Sequence, residues 1–204
     1  MTRALLALIT PLALIACQPG VVEGEAGRSG TTVTSVGKAQ IGGPFTLVDE
    51  TGAVVTEATL VGQPSIIYFG FTYCPDVCPT SLAKLGRAQE LMGEAARDVQ
   101  FILMTVDPER DTPEELARYV TNNGFPDGLR GFTGTPEQVA AAHGAYKVYS
   151  RKVPLEDSAA DYTMDHSDLI VLMGRDGGFV DVFPPRATPQ EIAGRVRAYL
   201  ARGS

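Results

Sequence analysis

Positive charge and long apolar segments are both scarce in this sequence. Its 204 residues include 17 Lys and Arg against 24 Asp and Glu, which gives a formal net charge of −7. Nucleic-acid binding is therefore disfavoured, because contacts to phosphates need a basic face. The apolar run at 4–16 is interrupted by Thr10 and Pro11, and it is too short for an ordinary membrane span.

The N-terminal segment nevertheless has the layout of a secretory signal. Arg3 supplies a positive charge, the apolar run follows, and Cys17 ends it. This ending resembles a bacterial lipoprotein processing site, at which the cysteine is lipidated and becomes the first residue. An uncleaved anchor, or a signal cut elsewhere, is the alternative. We expect three segments: a signal peptide at 1–17, a flexible tether at 18–39 and one domain at 40–204.

Cysteine and histidine are also scarce, which narrows the available chemistry to a few positions. The chain has three cysteines and two histidines. Export to an oxidising compartment permits disulfides. If Cys17 carries a lipid, any intramolecular disulfide must join Cys74 to Cys78, and closing so short a loop contributes little stability. This pair therefore indicates chemistry more than structural reinforcement.

Cys74 and Cys78 lie where a strand predicted at 66–71 gives way to a helix predicted at 75–96. The free N–H groups and the dipole of a helix N-terminus stabilise a nearby thiolate and lower its pKa. Pro75 suits the first helical position, and residues four apart share one helix face. Two sulfurs so placed can bridge a soft metal ion or close into a disulfide.

Apolar runs and helix-start signals divide the rest of the domain. Thr-Pro-Glu or Thr-Pro-Gln at Thr112, Thr135 and Thr188 predicts helices that reach about 122, 144 and 201. The remaining expected elements are a hairpin at 41–55, strands at 99–106 and 147–153, a loop at 156–161, and a second hairpin from 168–173 and 179–183. This order predicts an α/β fold with a mixed central sheet flanked by helices, as in a thioredoxin-like fold, and an N-terminal hairpin.

His166 is the strongest candidate for a third metal ligand. We expect it at the start of the apolar strand at 168–173, and loops at strand ends commonly carry ligands. Two thiolates and one imidazole favour copper(I), with zinc as an alternative. A capped polar residue at a strand end is the structural alternative for His166. His143 lies in an Ala-rich helix, where polarity at the helix end explains it without ligation.

Three carboxylates near these motifs have explanations other than metal binding. Asp111 precedes a helix start, and Asp107 ends a strand without a proton-transfer role that the sequence can assign. Asp76, between the cysteines, is a poor ligand for a soft ion and suits the helix N-terminus.

Four other side chains are expected around the same motifs. Met104 falls within an apolar strand and is expected in the core. Met164 is close to His166 in sequence and is expected to be an auxiliary contact at most. Tyr73 and Tyr162 are expected to wall the site.

Three segments occur in order along the chain: 69–79 (Phe-Gly-Phe-Thr-Tyr-Cys-Pro-Asp-Val-Cys-Pro), 106–113 (Val-Asp-Pro-Glu-Arg-Asp-Thr-Pro) and 165–167 (Asp-His-Ser). Together they resemble the three motifs of the Sco/SenC family of copper-binding, thioredoxin-like proteins. The resemblance covers roughly 41–201. It implies that Cys74, Cys78 and His166 are the ligands of one copper ion per chain.

The resemblance also implies a biological role. The protein would sit in the bacterial cell envelope, facing the periplasm, and would take copper from an upstream periplasmic donor. It would then mature the binuclear copper centre in subunit II of cytochrome c oxidase. Many relatives keep a transmembrane helix, whereas this N-terminus resembles that of a lipoprotein anchored through Cys17.

Two chemical mechanisms fit the same residues, and two other functions stay open. Reduced thiols can hold copper and pass it on by ligand exchange, with release of protons on binding. They can also reduce a disulfide on the acceptor, and because a disulfide cannot chelate, redox state would gate metal binding. The alternatives are a thiol–disulfide oxidoreductase acting on the cysteines of the oxidase subunit, and a sensor of redox state or copper.

Overall fold

Strands and helices alternate between residues 65 and 146, and four successive strands and a final helix follow. The computed structural model describes residues 40–156 and 160–203, so the predicted signal with Cys17, the predicted tether and part of the predicted loop at 156–161 lie outside the described residues. The strands are β1 Thr46–Asp49, β2 Val54–Thr56, β3 Ser65–Gly70, β4 Gln100–Thr105, β5 Arg130–Thr133, β6 Ser150–Pro154, β7 Tyr162–His166, β8 Ile170–Met173 and β9 Phe179–Phe183. The helices are α1 Val77–Met92, α2 Pro113–Tyr119, α3 Pro136–Tyr146 and α4 Pro189–Arg202, with short 3-10 helices at Glu57–Leu60 and Gly93–Asp98.

Seven of these strands form one mixed sheet in the order β2-β1-β5-β4-β3-β8-β9. Strand β4 runs parallel to both β3 and β5, whereas β8 is antiparallel to β3. Every residue of β3 is buried, as expected for a strand covered on both faces. The predicted parallel pair and both predicted hairpins are confirmed.

Helices cover the two faces of β3. Phe69 packs against Tyr146 of α3, with ring centroids 5.5 Å apart. A side chain at the next residue, Gly70, would instead come within 3.0 Å of Cys78 Sγ in α1. Because neighbouring strand residues point to opposite faces, α1 and α3 lie on opposite sides of the sheet. The missing side chain at Gly70 leaves room for the sulfur.

The pairing of β3 with β8 decides which loops meet at the end of the sheet. Tyr68 lies opposite Ile170 in the antiparallel ladder. The chain leaving β3 therefore lies beside the chain entering β8. The first segment carries Cys74 and Cys78, and the second carries His166. Residues 88 positions apart in sequence are brought together by this register.

The three Thr-Pro helix starts are confirmed. The Thr112, Thr135 and Thr188 side chains each accept a hydrogen bond from the backbone N–H three residues later, at 3.2–3.3 Å. Each cap satisfies an N–H group that has no partner inside its helix. Pro follows at the first helical position in all three cases, where its missing N–H costs nothing.

Several predicted elements differ from the structure. Strand β5 was not predicted, because Arg130-Gly-Phe-Thr is short and its glycine weakens the strand pattern. The strand expected at 147–153 begins only at Ser150, since Lys147 ends α3 in a left-handed conformation. His166 does not begin the apolar strand. It ends β7, which pairs with β6 in a separate two-stranded sheet.

Gly86 in α1 and Gly194 in α4 form a matched pair for testing helix packing. A Cβ at Gly86 would lie 2.1 Å from the carbonyl oxygen of Gly124, whereas a Cβ at Gly194 would meet nothing within 4 Å. Gly86 is therefore needed where α1 approaches the backbone of the loop before β5. Gly194 lies in a helix without such a contact.

Gly86→Ala should lower the free energy of unfolding by about 1–3 kcal/mol, because the backbone at Gly124 must move to admit the methyl group. Gly194→Ala should raise it by about 0.5–1 kcal/mol, because alanine is the better helix former. Urea unfolding followed by circular dichroism measures both. Equal effects from the two substitutions would contradict the packing described here.

Candidate metal centre

The segment that joins β3 to α1 carries both cysteines. Helix α1 begins at Val77, not at Pro75 as predicted, because Asp76 is not helical (φ −143°, ψ −61°). Cys74 thus precedes the helix instead of sharing its face with Cys78. Asp76 occupies the cap position without a side-chain hydrogen bond to the helix backbone. The sulfur of Cys74 acts as the helix cap instead, since it accepts a hydrogen bond from the backbone N–H of Cys78 at 3.4 Å.

The two thiols are chemically unequal. A hydrogen bond from the Cys78 thiol, assisted by backbone N–H groups at the start of α1, lowers the pKa of Cys74 to about 5. Cys74 is partly exposed, whereas Cys78 is fully buried. The hydrogen bond that the Cys78 thiol donates to Cys74, together with burial, raises the pKa of Cys78. The structure thus presents one accessible thiolate with a protonated partner directly behind it.

His166 faces the buried thiol. Its Nε2 lies 3.9 Å from Cys78 Sγ, and its Nδ1 lies 3.1 Å from the carbonyl oxygen of Ser167. Since a carbonyl only accepts, Nδ1 is the donor, and in the neutral ring the lone pair of Nε2 points toward the sulfur. The edge of the ring meets Phe71, with centroids 5.8 Å apart. This tautomer is the one that a metal ion bound through Nε2 requires.

A cleft of about 410 Å³ opens in front of these groups. Its lining includes Cys74, Met164 and His166, together with Phe71 and the carboxylate-bearing residue Asp165. Within residues 40–156 and 160–203, no three Cys, His, Asp or Glu side chains form a closed cluster ready to hold a metal ion. Of the three predicted ligands, Cys78 contacts both of the others: its backbone N–H reaches Cys74 Sγ, and its own sulfur faces His166 Nε2. Two sulfurs and an imidazole nitrogen are a donor set that suits a soft ion such as copper(I).

Arg110 ties the motif after β4 to the strand that carries His166. Its guanidinium pairs with the fully buried carboxylate of Asp107 and donates to the carbonyl oxygen of Tyr162 at 3.0 Å. It also lies over the rings of Tyr162 and Tyr73, at 3.8 and 4.9 Å from their centroids. The two tyrosines thus pack against Arg110. Neither tyrosine lines the cleft, contrary to the prediction. Sequence reasoning missed Arg110, whose signal was its place within the 106–113 motif.

Asp111 is also more than part of a helix start. It is fully buried, and it accepts hydrogen bonds from the Thr72 hydroxyl and the Thr105 hydroxyl, both at 2.6 Å. Burial raises the pKa of Asp111 to about 6. Thr72 lies two residues before Cys74, so Asp111 fixes the start of the cysteine segment to the end of β4.

His143 lies in the last turn of α3, as the prediction of helix-end polarity implies, but its ring is buried and forms hydrogen bonds outside the helix. Its Nε2 lies 2.9 Å from the carbonyl oxygen of Thr105, and its Nδ1 lies 3.0 Å from Ser150 Oγ. Burial lowers the pKa of His143, which keeps the ring neutral. Met104 is fully buried, as predicted for a core residue.

One protein-family model matches most of this chain. The SCO1/SenC family model matches residues 33–201. The chain belongs to the SCO1/SenC family. It is 42% identical to protein SenC of Rhodobacter capsulatus over 173 residues, which cover 85% of this chain and 75% of that protein. It spans only 44–58% of the length of the mitochondrial SCO1 homologues from Arabidopsis thaliana, mouse and human.

Solved structures of the SCO1/SenC family share the fold. ScoI of Bradyrhizobium japonicum, solved with copper bound, is 46% identical with a TM-score of 0.70, and the match covers 78% of this chain and 99% of that one. BsSco, a member of the Sco family of cytochrome c oxidase assembly proteins with an identified disulfide switch, is 25% identical with a TM-score of 0.60, covering 78% of this chain and 92% of that one. The predicted thioredoxin-like mixed sheet is therefore confirmed. In the part of the chain that the structure describes, no helix is long and apolar enough to span a membrane.

The unequal thiols predict selective alkylation. In the reduced, metal-free chain carrying Cys17→Ser, iodoacetamide should modify Cys74 with a half-maximal rate near pH 5, because the thiolate is the nucleophile. Cys78 should stay unmodified at neutral pH. Mass spectrometry of the digested protein measures both sites. The urea-unfolded chain is the control, in which both thiols should titrate near the ordinary value of about 8.5. Faster modification of Cys78 in the folded protein would contradict this assignment.

Proposed function

We propose that this protein is a copper chaperone whose Cys74, Cys78 and His166 take up one copper ion per chain. The observation that carries the proposal is the position of His166 Nε2, 3.9 Å from the sulfur of Cys78 and with its lone pair directed at it. A thiol pair and a neutral imidazole together suit copper(I). The copper-bound structure of a 46% identical relative supports the choice of metal.

Delivery would proceed by ligand exchange at the cleft. Cys74 and His166 line the open side, whereas Cys78 is fully buried behind them. Incoming ligands can therefore replace Cys74 or His166 first, and the ion leaves Cys78 last. The proposed acceptor is the binuclear copper centre in subunit II of cytochrome c oxidase, and the proposed source is a periplasmic copper donor. Likeness to an oxidase assembly protein supports this direction.

The proposed location is the bacterial cell envelope, on the periplasmic side. A lipid on Cys17 would anchor the chain to the membrane, and the segment at 18–39 would act as the tether. Similarity to protein SenC of Rhodobacter capsulatus supports this location. The signal-like pattern before Cys17 supports the mode of attachment.

Thiol–disulfide exchange is a second candidate function, favoured by the contact between Cys74 and Cys78. The Cys74 thiolate would attack an acceptor disulfide and form a mixed disulfide, releasing one acceptor thiolate. Cys78, after losing its proton, would then displace the second acceptor sulfur. The products are a Cys74–Cys78 disulfide and two thiols on the acceptor. This reaction could prepare acceptor cysteines for copper, and it would stop copper binding here.

Copper(I) titration tests the chaperone proposal. We expect the reduced chain carrying Cys17→Ser to bind one copper ion per chain under anaerobic conditions, in competition with a chromophoric chelator. Cys74→Ser, Cys78→Ser and His166→Ala should each weaken binding by more than the roughly 10–100-fold cost typical of changes around the ligands. Gly194→Ala is the control, because this helix position lies outside the cleft and has room for a methyl group, and it should bind like the parent.

Two outcomes would overturn the chaperone proposal. The first is tight copper binding that survives His166→Ala, which would remove the imidazole from the site. The second is no copper binding by the reduced chain together with rapid reduction of a disulfide substrate. That second result would leave thiol–disulfide exchange as the function.

A further inference from the structure

The small β6–β7 sheet, which carries His166, is separate from the main sheet. Strands β6 and β7 pair with each other and do not extend the seven-stranded ladder. The β3–β8 register brings the chain after β7 beside the cysteine segment, but no strand pairing joins the hairpin itself to the main sheet. Side-chain contacts hold the hairpin against that sheet, and two groups of hydrogen bonds among them involve buried side chains.

The first contact is made by His143, at the end of the hairpin where His166 lies. The Thr105 carbonyl can only accept, so the Nε2–H of His143 donates to it at 2.9 Å. The unprotonated Nδ1 then accepts the hydroxyl proton of Ser150 at 3.0 Å. Ser150 is the first residue of β6, and it lies directly opposite His166 in the ladder. One imidazole thus joins β4 to the residue paired with the proposed ligand.

The second contact lies at the other end of β7. Arg110 donates to the carbonyl oxygen of Tyr162 at 3.0 Å, and the Tyr162 hydroxyl donates to Asp107 at 2.8 Å. Tyr162 pairs with Pro154 at the far rung of the same ladder. The two contacts are independent, so loss of the His143 contact should release only the end that carries His166.

Thr105 connects the hairpin that carries His166 to the segment that carries the cysteines. Its carbonyl holds His143, while its hydroxyl donates to Asp111 at 2.6 Å. Asp111 in turn accepts from the backbone and the hydroxyl of Thr72. Thr72 begins the segment that carries Cys74. A hydrogen-bonded path therefore runs from the partner of His166, through the end of β4, to the cysteine segment.

We propose that His143 is a positioning residue for copper binding: it fixes the His166 end of the β6–β7 hairpin to β4 and so sets the distance between the imidazole and the thiols. This inference rests on the proposed function for its effect on copper. The structural part, the anchoring of the hairpin, stands on the hydrogen bonds alone. The two parts can be tested separately.

The first test is a double-mutant cycle on copper(I) affinity in the full chain carrying Cys17→Ser. His143→Leu should weaken binding by about 10-fold, the usual size of effect for a residue that orients a metal ligand. In the His166→Ala background the same substitution should have no further effect, because there is no imidazole left to position. His143→Gln should restore most of the affinity, since its amide carries an acceptor and a donor on one carbon.

The second test needs no metal. Hydrogen exchange in the reduced apo-protein should be about fivefold faster at the backbone amides of Tyr149 and Ser167, which bond across the His166 end of the hairpin, in both His143→Leu and Ser150→Ala. Ser150→Ala removes the same hydrogen bond without changing the core. Tyr199→Phe is the control: it removes a hydrogen bond from the Arg175 amide at 3.0 Å that lies outside this hairpin, and it should leave both amides unchanged.

Three outcomes would overturn the inference. His143→Leu and Ser150→Ala could both leave exchange at Tyr149 and Ser167 unchanged, which would show that His143 does not anchor the hairpin. His143→Leu could bind copper like the parent while His166→Ala weakens binding, which would remove the positioning role but keep the chaperone. A 10-fold loss that persists in the His166→Ala background would show a general effect on stability. If the parent binds no copper, the proposed function fails and the exchange measurement still decides the anchoring.

Discussion

The antiparallel pairing of β3 with β8 is the constraint on which the proposed site depends. With Tyr68 opposite Ile170, the chain leaving β3 toward Cys74 passes the chain that arrives at β8 from His166. A shift of this register by one residue would exchange the two faces of β3, turning Phe69 toward α1 and Gly70 toward α3, so the different packing on each face fixes the register. The stability of the sheet therefore also determines the geometry of the metal ligands. No local sequence feature could hold residues 88 positions apart at 3.9 Å.

Around this constraint, the start of α1 sets the chemistry of the two thiols. Cys74 lies just outside the helix, where its sulfur takes the role that a capping oxygen would play, and Cys78 lies inside it under the sheet. Gly70 leaves the space that the buried sulfur occupies. A partly exposed thiolate next to a buried thiol suits ligand exchange and also suits disulfide formation. One pair of residues can therefore serve both metal transfer and redox control, because a disulfide leaves neither sulfur free to bind the ion.

The sequence allowed prediction of the features that have local signals. The apolar runs of β3 and β4, the Thr-Pro helix starts and the scarcity of Cys and His led to the fold and to the three candidate ligands. What could not be predicted is long-range. Asp111 was explained by the helix that follows it, although its partner Thr72 lies 39 residues away. His143 was explained by its own helix, although its ring bonds to Thr105, 38 residues away. Pairing across the sheet decides such contacts, and neither residue's neighbours in sequence reveal it.

X-ray absorption at the copper edge tests the central claim most directly, because it reports the atoms bound to the ion. For the chain loaded with one equivalent of copper(I), this account predicts two sulfur neighbours and one nitrogen neighbour, with Cu–N contributions characteristic of imidazole. The nitrogen contribution should disappear in His166→Ala while the sulfurs remain. A spectrum of the parent with sulfur neighbours alone, or with the imidazole signal unchanged in His166→Ala, would contradict the claim that the β3–β8 register assembles a copper site from both segments.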